Sequence, residues 1–512
     1  MAAQDSIREF FDFEEHGTTY RTEIIAGVTT FLAMAYIIVV NPAILQDALL
    51  YDQSTGNIAS ETTINGEVYT QQQVFEMLAI VTILASIIAM LVMAFYAKRP
   101  FGLAPGMGLN AFFTFTVVVA LGIPWQTALA AVFVEGIIFI LLTAVGARRY
   151  LIEMFPEPVK RAVGAGIGAF LLFLGLQEME IVVAYDATLV QLGDLASTPF
   201  TVLALAGTFL TFILYARGIR GSIVIGILLT TLTAWVATLW PSNWLPGGRE
   251  GYSGGTLVDE NIAATVQQDG LGGIWEMIVG VQWDITPLAG AFIEGLQETD
   301  PVVFAFVVFA FFFVDFFDTA GTLIGVSQIG GFLNKDGDLP EMEKPLMADA
   351  VGTTAGSMLG TSTVTTFIES SAGLEEGGRT GFTTLVVAGL FALSLLFVPL
   401  MAAIPQYASY IALVIVGVIM LQGVADIHWD DKVWLISGGL TILVMPLTAS
   451  IADGIAAGII SYPIIKTAIG EFSDVNPIQW LLAGLFVMYY YVTTSGLLES
   501  VAENGILMPG FF

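Results

Sequence analysis

Cysteine is absent from this chain of 512 residues. Disulfides, thiolate metal centres and cysteine nucleophiles are therefore excluded. Histidine is almost absent as well. His16 lies in a polar N-terminal stretch and His428 in ADIHWDDK, and two histidines so far apart argue against a metal centre. No Gly-Lys pair occurs, so the phosphate-cradling loop of an ATP-driven pump is missing. Charge of either sign is scarce, at 12% of residues, where a soluble domain carries about a quarter. Positive charge is the scarcer: 16 Lys and Arg against 45 Asp and Glu, a net charge of −29. That balance disfavours nucleic acid as a partner. The acids lie mostly in loops and tails, which leaves two readings open. One is a halophilic surface, hydrated by carboxylates under strong screening; the other is an outer vestibule that collects cations. Residues 1–22 hold no short apolar stretch before a cleavage site, so no removable signal peptide is expected.

What the chain has in abundance is apolar length. Hydrophobic residues make up 56% of it, in runs near 20 residues, the mark of a polytopic helical membrane protein. Spans are expected at 24–45, 74–96, 105–121, 124–145, 161–178, 200–216 and 221–240, and after a polar stretch at 302–322, 346–358, 362–374, 380–400, 408–425, 433–448 and 452–468. These fourteen are called segments 1 to 14 below. A further apolar stretch, 478–496, either spans or lies at the interface. With the N-terminus in the cytoplasm, every Lys and Arg except Arg249 falls on the inner side, including Arg148, Arg149 and Lys335. A multi-pass protein of the plasma membrane is the expectation.

The two halves resemble each other. ARGIRGSIVIGIL joins segments 6 and 7 by a very short turn, and TASIADGIAAGII joins 13 and 14 in the same way. Seven segments per half is an odd number, so the second copy is inverted, as in many secondary transporters. Segment 3 begins PFGLAPGMG, whose prolines and glycines cannot sustain a helix before about Gly106. Segment 10, with GTSTVTTFIESSAG, is rich in Gly, Ser and Thr. Paired interrupted segments at matching places point to a transporter's binding site. Close packing by small residues is the plainer explanation of the glycines.

Acids stand in these apolar surroundings. Residues 304–314 read FAFVVFAFFFV, followed by Asp315, Phe316, Phe317 and Asp318. Glu369 lies in segment 10. Each ionised carboxylate at the bilayer centre costs roughly 2.5–3.5 kcal/mol, so three unpaired would cost roughly 7–10 kcal/mol. They are expected to bind a proton, a cation or a polar substrate. Asp315 and Asp318 are three apart and share a helical face. An acid neutralised by a proton from outside, or by Na+, and released inside would couple substrate to an ion gradient. A carboxylate accepts parallel N–H bonds, and an amide such as Asn110 both donates and accepts. Phe112, Phe113 and Phe367 are candidate walls or stacking partners, though phenylalanines in spans are more often ordinary packing. The hydroxyls of Thr363, Thr365, Thr366 and Ser370 either line the site or bond back to the backbone. Glu135 lies in segment 4 and is either functional or bonded to a neighbouring helix. Glu178, Glu180 and Asp453 fall near outer ends and are expected to be solvated, and His428 to lie on the surface.

Four stretches resemble one family: RTEIIAGVTTFLAMAYIIVVNP at 21–42, PFGLAPGMGLNAFF at 100–113, FVDFFDTAGTLIGVS at 313–327 and STVTTFIESSAG at 362–373. They are similar to the AzgA-like purine permeases of the nucleobase–cation symporter superfamily, which also holds uracil, xanthine and ascorbate carriers. The resemblance runs from about residue 10 to 470. It implies an all-α polytopic membrane protein with fourteen transmembrane segments in two inverted repeats, and short strands at segments 3 and 10. It implies a core domain of 24–145 and 302–400 and a gate domain of 161–240 and 408–468. Outside these lie a cytoplasmic N-terminus (1–23), an acidic outer loop (241–301) and a C-terminal segment (469–512). It implies a homodimer formed through the gate domains. It also implies that Asp315, Glu369 and Asn110 contact a purine base, and that Asp318 serves transport and proton coupling. No cofactor is implied, only a coupling ion, H+ or else Na+.

Two other readings remain at this point. One is a carrier of another nucleobase, or of a small anion, on the same architecture, although three carboxylates argue against an anion. The other is an intramembrane enzyme. A protease of that kind would need a GxGD motif, and a prenyltransferase a second Asp-rich motif; neither is present.

Overall fold

A computed structural model describes residues 2–147, 155–185, 187–195, 198–239, 257, 282–298, 301–334, 339–401 and 403–494. Arg148, Arg149, Arg249, Lys335, most of the 241–301 loop and the end of the C-terminal segment lie outside the described residues. Every expected segment has its counterpart. Nine helices among the described residues are long and apolar enough to cross a bilayer, and they cover segments 1, 2, 4, 5, 6, 8, 11, 12 and 14. Segments 3, 7 and 13 hold the shorter apolar helices Met107–Ala120, Ser222–Ala237 and Lys432–Thr448. Segment 9 is the helix Glu343–Leu359, and segment 10 a strand, Val364–Thr366, with a short helix, Ser370–Glu375. Segment 8 runs further than expected, from Pro301 to Ile329. Gly321 and Gly325 lie inside it, because a helix in apolar surroundings keeps its backbone bonds whatever the propensity of single residues. The stretch after segment 14 is also helical, Pro477–Thr494. Phe486 buries its ring against Phe309 and Phe313 of segment 8.

Segments 3 and 10 are built on one solution to one problem. Pro100, Gly102, Pro105 and Gly106 prevent a helix, so the backbone of 103–105 is extended. At membrane depth its polar groups need partners. They find them in 364–366, paired antiparallel with Leu103 opposite Thr366, Ala104 opposite Thr365 and Pro105 opposite Val364. The ladder continues past both ends: Phe367 N donates to Gly102 O at 2.9 Å and Gly106 N to Thr363 O at 3.0 Å. Bonded pairs alternate along an antiparallel ribbon. Residues 102 and 106 are bonded positions, so Pro105 falls where its neighbour strand asks for no N–H. The outward carbonyl of Val364 accepts the Thr353 hydroxyl at 3.0 Å. A helix then follows each strand, Met107–Ala111 on one side and Ser370–Glu375 on the other.

Around this ribbon the segments fall into two packed groups. Segments 2 and 4 each lie against segment 9, and segment 11 lies on 1 and 2. Segment 5 packs on 12 and 13, 13 on 14, and 6 on 7. Segment 8 belongs with the first group through segment 4 and also touches segments 5 and 14 of the second.

One buried acid ties segment 1 to the chain just after segment 10. Glu23 is fully buried. Its Oε1 accepts from the Thr18 hydroxyl (2.8 Å) and Arg379 N (3.0 Å), and its Oε2 from Thr380 N (3.3 Å) and the Thr380 hydroxyl (2.8 Å). The Thr383 hydroxyl adds a further bond. Such a carboxylate is amply solvated by the protein itself. Glu23→Ala strands those donors and is expected to lower stability by about 1–3 kcal/mol. Thermal unfolding of the detergent-solubilised protein checks this; an unchanged midpoint would deny Glu23 that role.

Candidate functional site

The acids of segment 8 meet the ribbon. Asp315 is fully buried, and its Oδ1 accepts from the Thr319 hydroxyl at 2.9 Å, one helical turn on. The same Thr319 oxygen lies 3.2 Å from Asp349 Oδ2 of segment 9 and 3.1 Å from the Thr365 hydroxyl of the segment 10 strand. A hydroxyl has a single proton. These four side chains alone therefore present two hydroxyl protons to two carboxylates, deep in the protein. Buried carboxylates are tolerated only when hydrogen-bonded, paired or neutralised.

Asp318 faces the junction where segment 3 changes from strand to helix. A methyl group built on Gly106 would lie 3.4 Å from Asp318 Oδ2 and 2.7 Å from Thr365 Cγ2, so glycine leaves room for the acid to approach the backbone. Asp318 is half-buried, and it lies within electrostatic reach of both Asp315 and Glu369. Four residues into the helix, Asn110 is fully buried. Its Oδ1 accepts from the Ser362 hydroxyl, while its Nδ2 has no partner among the described residues. Glu369, half-buried at the start of the segment 10 helix, accepts a bond from the Tyr36 hydroxyl at Oε1. The Tyr36 and Phe367 rings are 6.5 Å apart. Asn110, Asp315, Asp318 and Glu369 therefore all attach to one ribbon and its flanking turns.

The remaining expectations divide. Side chains alternate along a strand. Thr365 meets Thr319, so Thr366 is turned to the opposite face, opposite Leu103; it is Thr365, not Thr366, that joins the acids. Phe112 is fully buried and packs edge-to-face on Phe311 at 5.0 Å, with Phe113 6.1 Å from the same ring. Both fill the contact between segments 3 and 8. The Ser370 hydroxyl accepts from Gly102 N at 2.9 Å and so holds the ribbon together. Thr363 is buried, and its hydroxyl has no partner among the described residues. Glu135 is fully buried on segment 4. Glu178 and Asp453 are half-buried where solvation was expected, while Glu180 and His428 are exposed, His428 stacked on Trp434 at 4.4 Å. No metal-binding group of His, Asp or Glu occurs among the described residues. A separate pocket lies between segments 5, 13 and 14, lined by Glu157, Asp431, Tyr462 and Lys466, and shares no residue with the acids.

Three residues of the cluster escaped sequence reasoning: Tyr36, Thr319 and Asp349. Asp349 carried the same signal as Asp315, an acid inside an apolar span, but without the aromatic run that draws the eye. Tyr36 and Thr319 gave no local signal.

A carrier built on a broken-helix ribbon is the class these features define. Residues 21–457 match the model of the Permease family, the xanthine/uracil permeases, and the chain belongs to that family. It is a multi-pass membrane transporter rather than an enzyme. It is 43% identical to a permease homologue of Methanocaldococcus jannaschii, covering 94% of this chain and 98% of that one. It is 38% identical to the guanine/hypoxanthine permease PbuO of Bacillus subtilis (94% and 100% covered) and 35% identical to the adenine permease AdeP of Escherichia coli (95% and 96%). Among solved structures it is similar in fold to the transmembrane domain of the cyanobacterial bicarbonate transporter BicA, with a TM-score of 0.53 and 15% identity, over 85% of this chain and 97% of that one. Murine Slc26a9, an anion transporter, follows with a TM-score of 0.51 and 11% identity, over 88% and 69%.

Thr319→Val removes the hydroxyl shared by the two acids without changing shape. It is expected to lower stability by about 1–3 kcal/mol, with Thr319→Ser close to wild type. Thermal unfolding of both variants decides; equal midpoints for all three proteins would show that the hydroxyl carries no load.

Proposed function

We propose that this protein imports purine bases across the plasma membrane by secondary active transport. The observation that carries the reading is the gathering of Asp315, Asp318, Asn110 and Glu369 on one ribbon of broken backbone. Similarity to guanine/hypoxanthine and adenine permeases over nearly the whole chain supports the substrate class. The chemistry agrees. Purine ring N–H groups and exocyclic amines donate to carboxylates, and the free amide hydrogens of Asn110 suit a carbonyl or ring nitrogen. The acids leave little place for an anion.

In this reading segments 1–4 and 8–11 form a core that moves against a gate of segments 5–7 and 12–14, exposing the site to each side in turn. The division into two packed groups, with segment 8 touching both, supports that motion. The matched strand-and-helix breaks of segments 3 and 10 favour two inverted repeats. The coupling ion is H+, taken up by the acids as substrate binds; Na+ would occupy the same cluster. The N-terminus lies in the cytoplasm, supported by the placement of Lys and Arg. The functional unit is a homodimer through the gate segments.

Asp315→Asn and Glu369→Gln should each abolish uptake of radiolabelled purine while the variant protein reaches the membrane in normal amount. Normal transport by either variant would overturn the site. In wild type, collapse of the proton gradient should stop accumulation; accumulation that survives it but is lost without sodium would assign the coupling to Na+. A competition panel of adenine, guanine, hypoxanthine, xanthine and uracil fixes the base, and competition by uracil alone would move the chain to pyrimidines.

A further inference from the structure

Glu369 has one side-chain donor among the described residues, the Tyr36 hydroxyl, from 333 positions earlier in the chain. Tyr36 is 1% exposed, so its ring is fixed by packing. It lies where segment 1 breaks: one helix ends at Met34, Ala35 and Tyr36 turn, and the next begins at Ile37. Val39 N and Val40 N both donate to Tyr36 O at 3.0 Å, so the turn itself is anchored. Its ring lies beside Phe367, two residues before Glu369. A rigid, dry residue thus aims a single O–H at one oxygen of a half-exposed carboxylate.

We propose that Tyr36 is a positioning residue for the purine: it fixes the rotamer of Glu369 through Oε1 and leaves Oε2 as the acceptor offered to a ring N–H. This rests on the purine-transport reading and adds a residue to it. The consequence is selective. Hypoxanthine presents one N–H on its N1 edge, and one bond leaves an unanchored carboxylate free to rotate. Guanine presents N1–H and the exocyclic N2–H side by side, matching both carboxylate oxygens at once. With the tyrosine hydroxyl gone, the second guanine N–H takes the oxygen it vacates, and hypoxanthine has nothing to put there.

The test compares wild type with Tyr36→Phe, which keeps the ring and its packing, in a host lacking its own purine uptake, with membrane amounts matched by immunoblot. Initial rates are measured for radiolabelled hypoxanthine and guanine. The expected result is a rise of about tenfold in KM for hypoxanthine, the size of one charge-assisted hydrogen bond, with maximal rate unchanged. The rise for guanine is smaller, so preference shifts towards guanine. Equal rises for both bases would reduce Tyr36 to a structural residue and overturn the proposal, as would no change in either. A wild type that takes up neither base defeats the purine reading, and this proposal with it; wild-type uptake with an indifferent Tyr36→Phe defeats the proposal alone.

Discussion

Backbone that cannot be helical, placed where no water can reach it, is the constraint from which the rest follows. A polypeptide inside a bilayer has few ways to satisfy its amides. The prolines and glycines of 100–106 remove the usual one. The ribbon with 364–366 supplies another, and in doing so joins segments far apart in sequence. Once it exists, two helices must begin at its ends, and the side chains of segments 8 and 9 must face it. The functional groups gather there because the break that makes room for them is the same break that the ribbon repairs.

The electrostatics of the site have a matching economy. Acids that would be expelled from the bilayer as single charges are retained because hydroxyls and backbone N–H groups donate to them. Glu23 and the Asp315–Asp349 cluster sit in different places and meet different donors. Glu23 accepts five bonds and is finished, a structural tie. Asp315 and Asp349 share one threonine hydroxyl, and Asp318 faces glycine.

Much of this was legible in the sequence, and for a physical reason. Apolar length and the need for internal hydrogen bonds act along the chain, so all fourteen segments could be read from it. The broken start of segment 3 could be read too, since two prolines and three glycines act locally. Asp315, Asp318, Asn110 and Glu369 stood out as polar groups in the wrong solvent. What could not be read was pairing. The choice of Thr365 over Thr366 depends on which face of a strand meets segment 8, and that needs the register. Phe112 reads as either a stacking partner or ordinary packing, because composition cannot tell a wall of the site from a contact between helices. Tyr36 and Glu369 are brought together only by the closed fold.

The position of Pro105 has a wider meaning. A ribbon of three residue pairs has little to hold it against sliding, and a slide of one residue exchanges its faces. Such a slide would carry the imino nitrogen into a slot that needs a hydrogen and would swing Thr365 away from the carboxylates. The proline thus works as a key cut for one setting, rejecting the misaligned assembly by what it lacks.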